Sequence, residues 1–391
     1  MRLRFSDCVL DLERLELTRG GVAVDVEPQV FELIAHLAGN PDRVVGVDEL
    51  FDVVWRGRIV SLSTLTSRVS AARAAIGDTG GAQRLVRTIH GRGYRFVGAV
   101  QAEGAAPAAA LPPLHQEVQF CAAADGVRLA WSRVGAGPAI VKTGNWLTHV
   151  EYDWESPVWS HVLRWLAEGR RLVRYDARGN GLSDREVADI SFEAFVRDLE
   201  TVVDAAGLER FALFGVSQGC AFSIAYAVRH PERVSKLVLY GGFARGRRLR
   251  GSPVDAEQAE AMLTLMRTGW GQDNPAFRQV FTSLFVPGGT PEQMAWFNEL
   301  QRVTTSPENA VRLRLVSDWM DVVGLLPLVR TPTLVLHCHD DAMQPFEEGR
   351  FLAASIPGAR FVGLDGRNHL ILEADPGWPR LRREVDAFLA E

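Results

Sequence analysis

The sequence predicts two domains of different class, a small α+β domain followed by a larger α/β domain. Residues 101–117 separate them, because this stretch is rich in alanine and proline and has no hydrophobic periodicity. Before it, helical patterns are flanked by short strand-like segments. After it, apolar β-type runs alternate with helical patterns, which is typical of a mostly parallel sheet with helices on both faces.

The composition limits which classes of protein the chain can belong to. The chain has 391 residues, of which 47% are hydrophobic and 23% charged, with a net charge of −5, as in soluble globular proteins. Four scattered cysteines without a CxxC pair favour a reducing cytoplasm. We find no apolar signal core and no uncharged run long enough to cross a bilayer. We expect a cytoplasmic protein without a membrane partner or cofactor.

The first domain, residues 1–100, reads as alternating short elements. Pro28 suits the first turn of a helix, Asp48 can cap the next one, and Gly77 ends the third. The predicted elements are strands at residues 3–5 and 22–26, helices at 28–38 and 63–76 with a helix carrying Leu50, Phe51, Val54 and Trp55 between them, and a hairpin of strands 85–89 and 94–97.

Charge is sharply divided within this domain. Residues 1–55 carry five arginines against eleven acids, whereas residues 56–100 carry eight arginines against Asp78 alone. Such a basic pole can neutralise phosphates although the whole chain is acidic. The division indicates that the second half of the domain faces nucleic acid.

The third helix supports this interpretation. At about 100° per residue, an apolar stripe forms on one side, and small residues lie away from it, suited to base edges in a major groove. Arg68 and Arg73 flank the stripe and can clamp phosphates. The stripe comprises Leu65, Val69, Ala72 and Ile76, and the small residues are Thr66, Ser67, Ser70, Ala71 and Ala74.

Residues 1–100 resemble the OmpR/PhoB-type (CadC-like) winged-helix domain. The resemblance rests on residues 60–65 (VSLSTL), 74–78 (AAIGD) and, above all, 87–96 (RTIHGRGYRF), although Leu62 stands where the family often has an acid. It implies duplex DNA as partner, with arginines at the tip of the wing, and makes a homodimer on paired half-sites plausible. A winged helix used for protein contacts is the alternative. The expected DNA-binding residues are Thr66, Ser67, Arg68, Ser70, Arg73, Arg87, Thr88, His90, Arg92, Tyr94 and Arg95.

The second domain carries the pentapeptide Gly215–Gly219, GVSQG. A GxSxG string is weak alone, but here an apolar strand enters it and a helical pattern leaves it, as at a nucleophile elbow. Candidate partners follow in the order acid, then histidine. Asp341, with Asp340 as the rival, comes after the run 333–337, and His369 comes after the run 360–364.

These residue types suit acyl chemistry. Ser217 would attack an acyl carbon, His369 would take and return its proton, and the acid would hold the imidazole. The developing oxyanion needs two donors. We expect the N–H of Gln218 to be one and the segment 144–146, with Asn145 favoured, to supply the other.

From about residue 118 to the C-terminus the chain resembles the α/β-hydrolase superfamily. The triad order, the loop 174–184 (RYDARGNGLSD) and the segment 145–157 carry the resemblance, while Thr143-Gly144 departs from the usual His-Gly. It implies an α/β-hydrolase fold at residues 118–391 and supports Asp341 by its spacing to Pro345. The stretch 245–326 lacks β-runs and reads as a helical lid.

Other interpretations of single residues remain open. The string 337–341 (HCHDD) suggests a metal site, although alternating side chains on a strand point apart and no metal is expected. Cys220 is a rival nucleophile that we expect to pack under the elbow. Trp270, Trp296 and Trp319 can line a pocket or pack between lid helices.

Together the domains predict a DNA-binding transcriptional regulator whose hydrolase-fold domain binds and hydrolyses a small acyl compound such as an ester, lactone or thioester. Two alternatives stand beside it. One is a stand-alone esterase with an accessory DNA-binding domain, and the other is a receptor without turnover.

Overall fold

The structure is a computed structural model that describes residues 2–12, 14–41, 43–55, 61–89, 91–103 and 114–391. It divides into two compact units, residues 1–113 and 114–391, each with its own hydrophobic core. His90, the basic residues Arg56 and Arg58, and residues 104–113 of the expected linker lie outside the described residues. Among the described residues, no helix combines the length and apolar content needed to cross a bilayer.

The described residues of the first unit form two antiparallel sheets and three helices. The larger sheet has the order β4-β3-β2-β1-β8, and the smaller has the order β5-β7-β6. Its strands are β1 (Arg2–Phe5), β2 (Cys8–Asp11), β3 (Glu16–Arg19), β4 (Val22–Val24), β5 (Val45–Gly46), β6 (Val86–Ile89), β7 (Gly93–Phe96) and β8 (Val100–Glu103); its helices are α1 (Pro28–Gly39), α2 (Val47–Trp55) and α3 (Leu62–Ala75).

This α+β arrangement confirms the predicted class, and several boundaries differ. Strand β8 pairs with β1 and so reaches into the segment expected to be a linker. Strands β2 and β3 were not predicted, because their four-residue spans show too little alternation. Helix α2 begins at Val47, one residue before the expected start at Asp48. The side chain of Ser61 caps α3.

The second unit is built on an eight-stranded sheet of order β16-β15-β14-β13-β11-β12-β10-β9. Strands β11 to β16 pair in parallel, and a β9–β10 hairpin, absent from the prediction, adds the antiparallel edge. The strands are β9 (Glu117–Ala122), β10 (Arg128–Val134), β11 (Ala139–Lys142), β12 (Arg171–Tyr175), β13 (Phe211–Val216), β14 (Val234–Tyr240), β15 (Thr333–Cys338) and β16 (Arg360–Leu364).

Helices cover both faces of this sheet, which confirms the α/β-hydrolase fold class. Between β14 and β15 the chain forms only helices, the region predicted as a lid. The flanking helices are α4 (Ser160–Ala167), α5 (Phe192–Ala205), α6 (Gly219–Arg229), α11 (Phe346–Ser355) and α12 (Trp378–Ala390); those of the lid region are α7 (Pro253–Gly269), α8 (Ala276–Phe285), α9 (Pro291–Thr304) and α10 (Pro307–Trp319), with 3-10 turns at Arg247–Leu249 and Val323–Leu328.

Candidate active site and nucleic-acid interface

Ser217 occupies a sharp turn between a buried strand and a helix. Strand β13 ends at Val216 and α6 begins at Gly219, and Ser217 between them has a φ of +54°. A non-glycine residue rarely adopts this conformation. The N–H of Ser217 donates to the carbonyl of Tyr240 at 2.9 Å, which fixes the turn against β14.

The two glycines of the pentapeptide allow close packing around this serine. A Cβ on Gly215 would lie 2.9 Å from the Cα of Cys220. A Cβ on Gly219 would lie 2.7 Å from the carbonyl oxygen of Gly144, on the loop after β11. The elbow and that loop therefore touch through backbone atoms.

Asp341 and His369 meet after the ends of β15 and β16. Oδ2 of Asp341 lies 2.7 Å from Nδ1 of His369, while Oδ1 accepts the N–H groups of Met343 and Gln344. Burial raises the pKa of Asp341, but the charge and hydrogen bond of His369 outweigh it and hold that pKa below the ordinary carboxyl value. Asp341 is thus an ionised, oriented partner for the imidazole.

His337 is a second neighbour of the Asp341 carboxylate, since its Nε2 lies 3.5 Å from Oδ2. Asp340 is exposed. Nε2 of His337 lies 3.1 Å from the carbonyl of Gln344, and the ring of His339 packs on Phe346. Within the described part of the chain, no group of three or more His, Cys, Asp or Glu residues is arranged to hold a metal ion.

The other ring nitrogen of His369 is available. Nε2 is buried and has no hydrogen-bond partner among the described residues. A Cβ on Gly241, the residue after Tyr240, would lie 3.2 Å from Cε1 of His369. Since Tyr240 also binds the backbone of Ser217, the histidine and the serine lie at the same edge of the sheet.

Gln218 and Asn145, the candidate oxyanion donors, lie on the two backbone segments that contact each other, the elbow and the loop after β11. Gln218 precedes the first turn of α6, where N–H groups point outward. The side chain of Asn145 is buried and committed to its own loop: Oδ1 accepts from Nζ of Lys142 at 2.6 Å and Nδ2 donates to the carbonyl of Trp146. A donor from this residue is therefore its backbone N–H.

Aromatic side chains join the predicted lid region to the sheet edge that carries His369. The ring of Phe285, at the end of α8, packs edge-on to His369 with centroids 5.5 Å apart. Trp146 meets Trp270 in the same manner, and Trp296 stacks on Tyr152. Trp319, by contrast, is 56% exposed and lies away from this packing.

Cys220 does not rival the serine. Its thiol is buried beneath the elbow, 3.5 Å from the carbonyl of Tyr240, and burial raises its pKa. A thiol in such surroundings stays protonated and is a poor nucleophile.

In the first unit, α3 presents a polar face to solvent. Thr66, Ser67 and Ser70 are exposed, whereas Leu65 and Val69 are buried against the core. The hydroxyl of Thr66 donates to the carbonyl of Leu62 within the helix.

Two residues that were expected to contact DNA, Arg73 and Tyr94, are buried instead. The guanidinium of Arg73 is 8% exposed and donates to the carbonyl of Val86 and the hydroxyl of Thr88, so it ties α3 to the wing. Tyr94 belongs to the hydrophobic core. The helical wheel placed Arg73 beside the stripe but did not show that β6 covers that side.

Other arginines of this domain are placed where they can contact DNA. Arg87, Arg92 and Arg95 on the wing are exposed. Arg68 is partly buried and pairs with Glu27 at 2.7 Å, so it must exchange this partner before it can bind a phosphate. Thr88 is half-buried and accepts from Arg73, and His90 lies outside the described residues.

Lys142 was missed by the sequence analysis. It ends β11 and is 5% exposed, and burial lowers its pKa to about 8. Its only signal in the sequence is a lysine directly after the apolar run of residues 139–141.

Comparison with known families agrees with both halves of the chain. The profile of a family described as "alpha/beta hydrolase fold" matches residues 151–282, and that of a family described as "Transcriptional regulatory protein, C terminal" matches residues 21–96. Each match lies within one of the two units.

Several relatives match the second unit. "Putative carbamate hydrolase RutD" of Azorhizobium caulinodans is 27% identical over 222 residues, 56% of this chain and 81% of the relative. "AB hydrolase superfamily protein YisY" of Bacillus subtilis is 25% identical over 242 residues, 60% of this chain and 86% of the relative. Both support a hydrolase.

Solved structures agree on the fold. The enol-lactonase from Burkholderia xenovorans has a TM-score of 0.58 at 24% identity, and the esterase from Exiguobacterium antarcticum has 0.60 at 22%. Each alignment covers 70% of this chain and 100% of the solved chain. The protein thus joins an OmpR/PhoB-type winged-helix domain to an α/β-hydrolase domain.

Proposed function

We propose that the protein is a cytoplasmic transcriptional regulator whose second domain binds and hydrolyses a small acyl compound. An ester, a lactone or a thioester would fit. The observation that carries the proposal is the 2.7 Å pairing of Asp341 with His369 at the sheet edge where Ser217 holds a strained backbone. Structural residues seldom combine such strain with a buried ionised pair.

The reaction would proceed in two steps. His369 Nε2 would accept the proton of the Ser217 hydroxyl as its oxygen attacks the acyl carbon, and would return it to the leaving group. Water, activated by the same nitrogen, would then release the acid. Nε2 is not committed to another hydrogen bond among the described residues, so it is free to accept this proton.

The carbonyl oxygen would become an anion between two backbones. The N–H of Gln218, before α6, and the N–H of Asn145 are the proposed donors. The contact of Gly219 with Gly144 supports the assignment, since it brings the two donor segments together. The similar proteins are named for the hydrolysis of a carbamate, an enol-lactone and an ester, and each of these compounds has an acyl carbon bonded to a heteroatom.

Catalysis is tested with p-nitrophenyl esters of several acyl lengths and a fluorophosphonate label. Wild type should turn over at least one ester and carry the label on Ser217, and Ser217→Ala should lose both. Cys220→Ala is the matched control and should keep both, because the thiol does not reach the reaction. A labelled but inactive wild type would instead favour the receptor alternative.

The first domain would bind duplex DNA through α3 and the wing, as a homodimer on paired half-sites. The exposed Arg87, Arg92 and Arg95 and the small face of α3 support this. Ligand in the serine site would alter DNA affinity only if it binds the DNA-competent and DNA-free states with different affinity.

Coupling is tested by fluorescence anisotropy of a labelled duplex with Ser217→Ala, which retains an ester uncleaved. A shift in the dissociation constant on ester addition supports the regulator. DNA affinity that ignores every bound ester favours a hydrolase that merely carries a DNA-binding domain. Sedimentation with and without duplex tests the homodimer.

A further inference from the structure

A lysine ammonium is buried beneath the loop that follows β11. Nζ of Lys142 donates to Oδ1 of Asn145 at 2.6 Å and lies 4.6 Å from the centre of the Trp159 ring. The proposed acyl transfer does not use this cation. Its presence below the loop therefore requires its own explanation.

Lys142 differs from several other buried cations of this domain. Arg174 lies 3.7 Å from Asp153, Arg178 lies 2.6 Å from Asp198, and Arg314 lies 2.9 Å from Asp318. Within the part of the chain that the structure describes, no carboxylate oxygen comes within 4.0 Å of Nζ of Lys142. A buried cation without a paired carboxylate costs free energy. This cation therefore lacks the direct ion pair that the three arginines have.

The hydrogen bond of Lys142 fixes one conformation of the loop. The amide of Asn145 is held at both ends, since Nδ2 donates to the carbonyl of Trp146 at 3.2 Å. The next residue, Leu147, has a φ of +56°, and Gly144 lies against Gly219 of the elbow. A change at the Asn145 side chain must therefore move the backbone that faces Ser217.

We propose that Lys142 is a positioning residue: its ammonium holds Asn145, and so fixes the loop N–H groups that receive the oxyanion. The proposal rests on the proposed function. A positive charge beneath those donors would also favour the anion that forms in the transition state.

The protonation of Lys142 gives the role a measurable signature. Burial lowers its pKa to about 8, against the opposing effect of Asp153 and Asp176, while Arg174 lowers it further. Those three are the charged groups that face it. Above about pH 8 the neutral amine holds the amide less firmly, so kcat should fall along an alkaline limb near that pH.

The test compares wild type with Lys142→Met and Lys142→Arg, using kcat and KM from pH 6 to 10. In Lys142→Met, kcat should fall about 10- to 100-fold, the range of a weakened oxyanion donor, with KM nearly unchanged. Its alkaline limb should disappear. Lys142→Arg stays charged throughout and should recover part of kcat without the limb.

A second variant guards against misfolding. Asn145→Asp places a carboxylate against the ammonium and should move the limb to higher pH. An unchanged kcat and limb in Lys142→Met, or an unmoved limb in Asn145→Asp, overturns the positioning role while leaving wild-type hydrolysis intact. A wild type whose Ser217 fails to react with fluorophosphonate overturns the proposed function itself, and this role with it.

Discussion

Oδ2 of Asp341 lies 2.7 Å from Nδ1 of His369, and neither side chain is exposed to solvent by more than 1%. The two residues are 28 positions apart and follow different strands. Asp341 therefore contacts the histidine, whereas the adjacent carboxylate of Asp340 is exposed to solvent.

This contact predicts unequal effects of two isosteric substitutions. Asp341→Asn should lower kcat about 10⁴-fold, because an amide stabilises the wrong tautomer of the histidine. Asp340→Asn, one residue away, should stay within about twofold of wild type, as surface changes do. Ester hydrolysis under saturating substrate measures both, and equal losses would contradict the assignment of the acid.

The contact between the elbow and the loop after β11 predicts a second pair of effects. Gly219→Ala should lower kcat at least tenfold, because the new methyl group would meet the carbonyl of Gly144 at 2.7 Å and displace the oxyanion donors. Gly324→Ala is the matched control, since nothing lies within 4 Å of its Cβ position. Normal turnover by Gly219→Ala would argue against this donor geometry.

In the winged helix, two arginines should behave differently. Arg92→Ala should weaken duplex binding and reduce the slope of log K against log salt by about 0.9, the loss of one phosphate contact. Arg73→Ala should lower the fraction of active protein but keep the slope, because Arg73 binds Val86 and Thr88 within the domain. Anisotropy titrations at four salt concentrations separate the two, and a reduced slope for Arg73→Ala would overturn its structural role.

The buried ion pair of Arg178 and Asp198 predicts a large loss of stability. Arg178→Met leaves the carboxylate of Asp198, which is fully buried, without its 2.6 Å partner and should cost about 3–5 kcal/mol. The control is Arg197→Ala, which breaks an exposed pair with Asp189 and should cost less than about 1 kcal/mol. Urea unfolding of the second domain measures both, and similar midpoints would refute the contrast.

Lys142 should make the stability of the domain depend on pH. Its pKa in the folded protein is about 8, below the ordinary 10.5, so the unfolded chain binds more protons between these values. Stability of wild type relative to Lys142→Met should therefore rise from pH 8 to 10.5, by about 3 kcal/mol. Urea unfolding of both proteins at pH 7.5 and 10 provides the difference, and a constant difference would mean that the lysine is not perturbed.

The regular elements of both domains were largely predictable. The strands that end at Tyr175 and Tyr240 matched their apolar runs, because strands largely buried on both faces read as continuous hydrophobic sequence. The β9–β10 hairpin escaped notice, since an edge strand with an exposed Phe120 has no such run. Strands β2 and β3 of the first domain were also missed, because four residues show too little alternation.

The residues of the candidate site likewise fall into those that local sequence predicts and those whose position depends on tertiary packing. The order serine, acid, histidine and the turn at Ser217 follow from local sequence, because residue types and glycine spacing are fixed along the chain. Which arginine faces solvent, by contrast, depends on what packs over it. Both Arg73 and Arg92 were predicted to contact DNA, yet β6 covers Arg73 and leaves Arg92 exposed.

The sequence by itself determined the two domain classes, the elbow and the basic half of the winged helix, because periodicity, glycine placement and charge are local properties. Only the tertiary structure decided that Asp341 and not Asp340 meets His369, that Arg73 is structural, and that Lys142 lies under Asn145. Those outcomes depend on contacts between distant segments, where burial and pairing set the free energy of each charge.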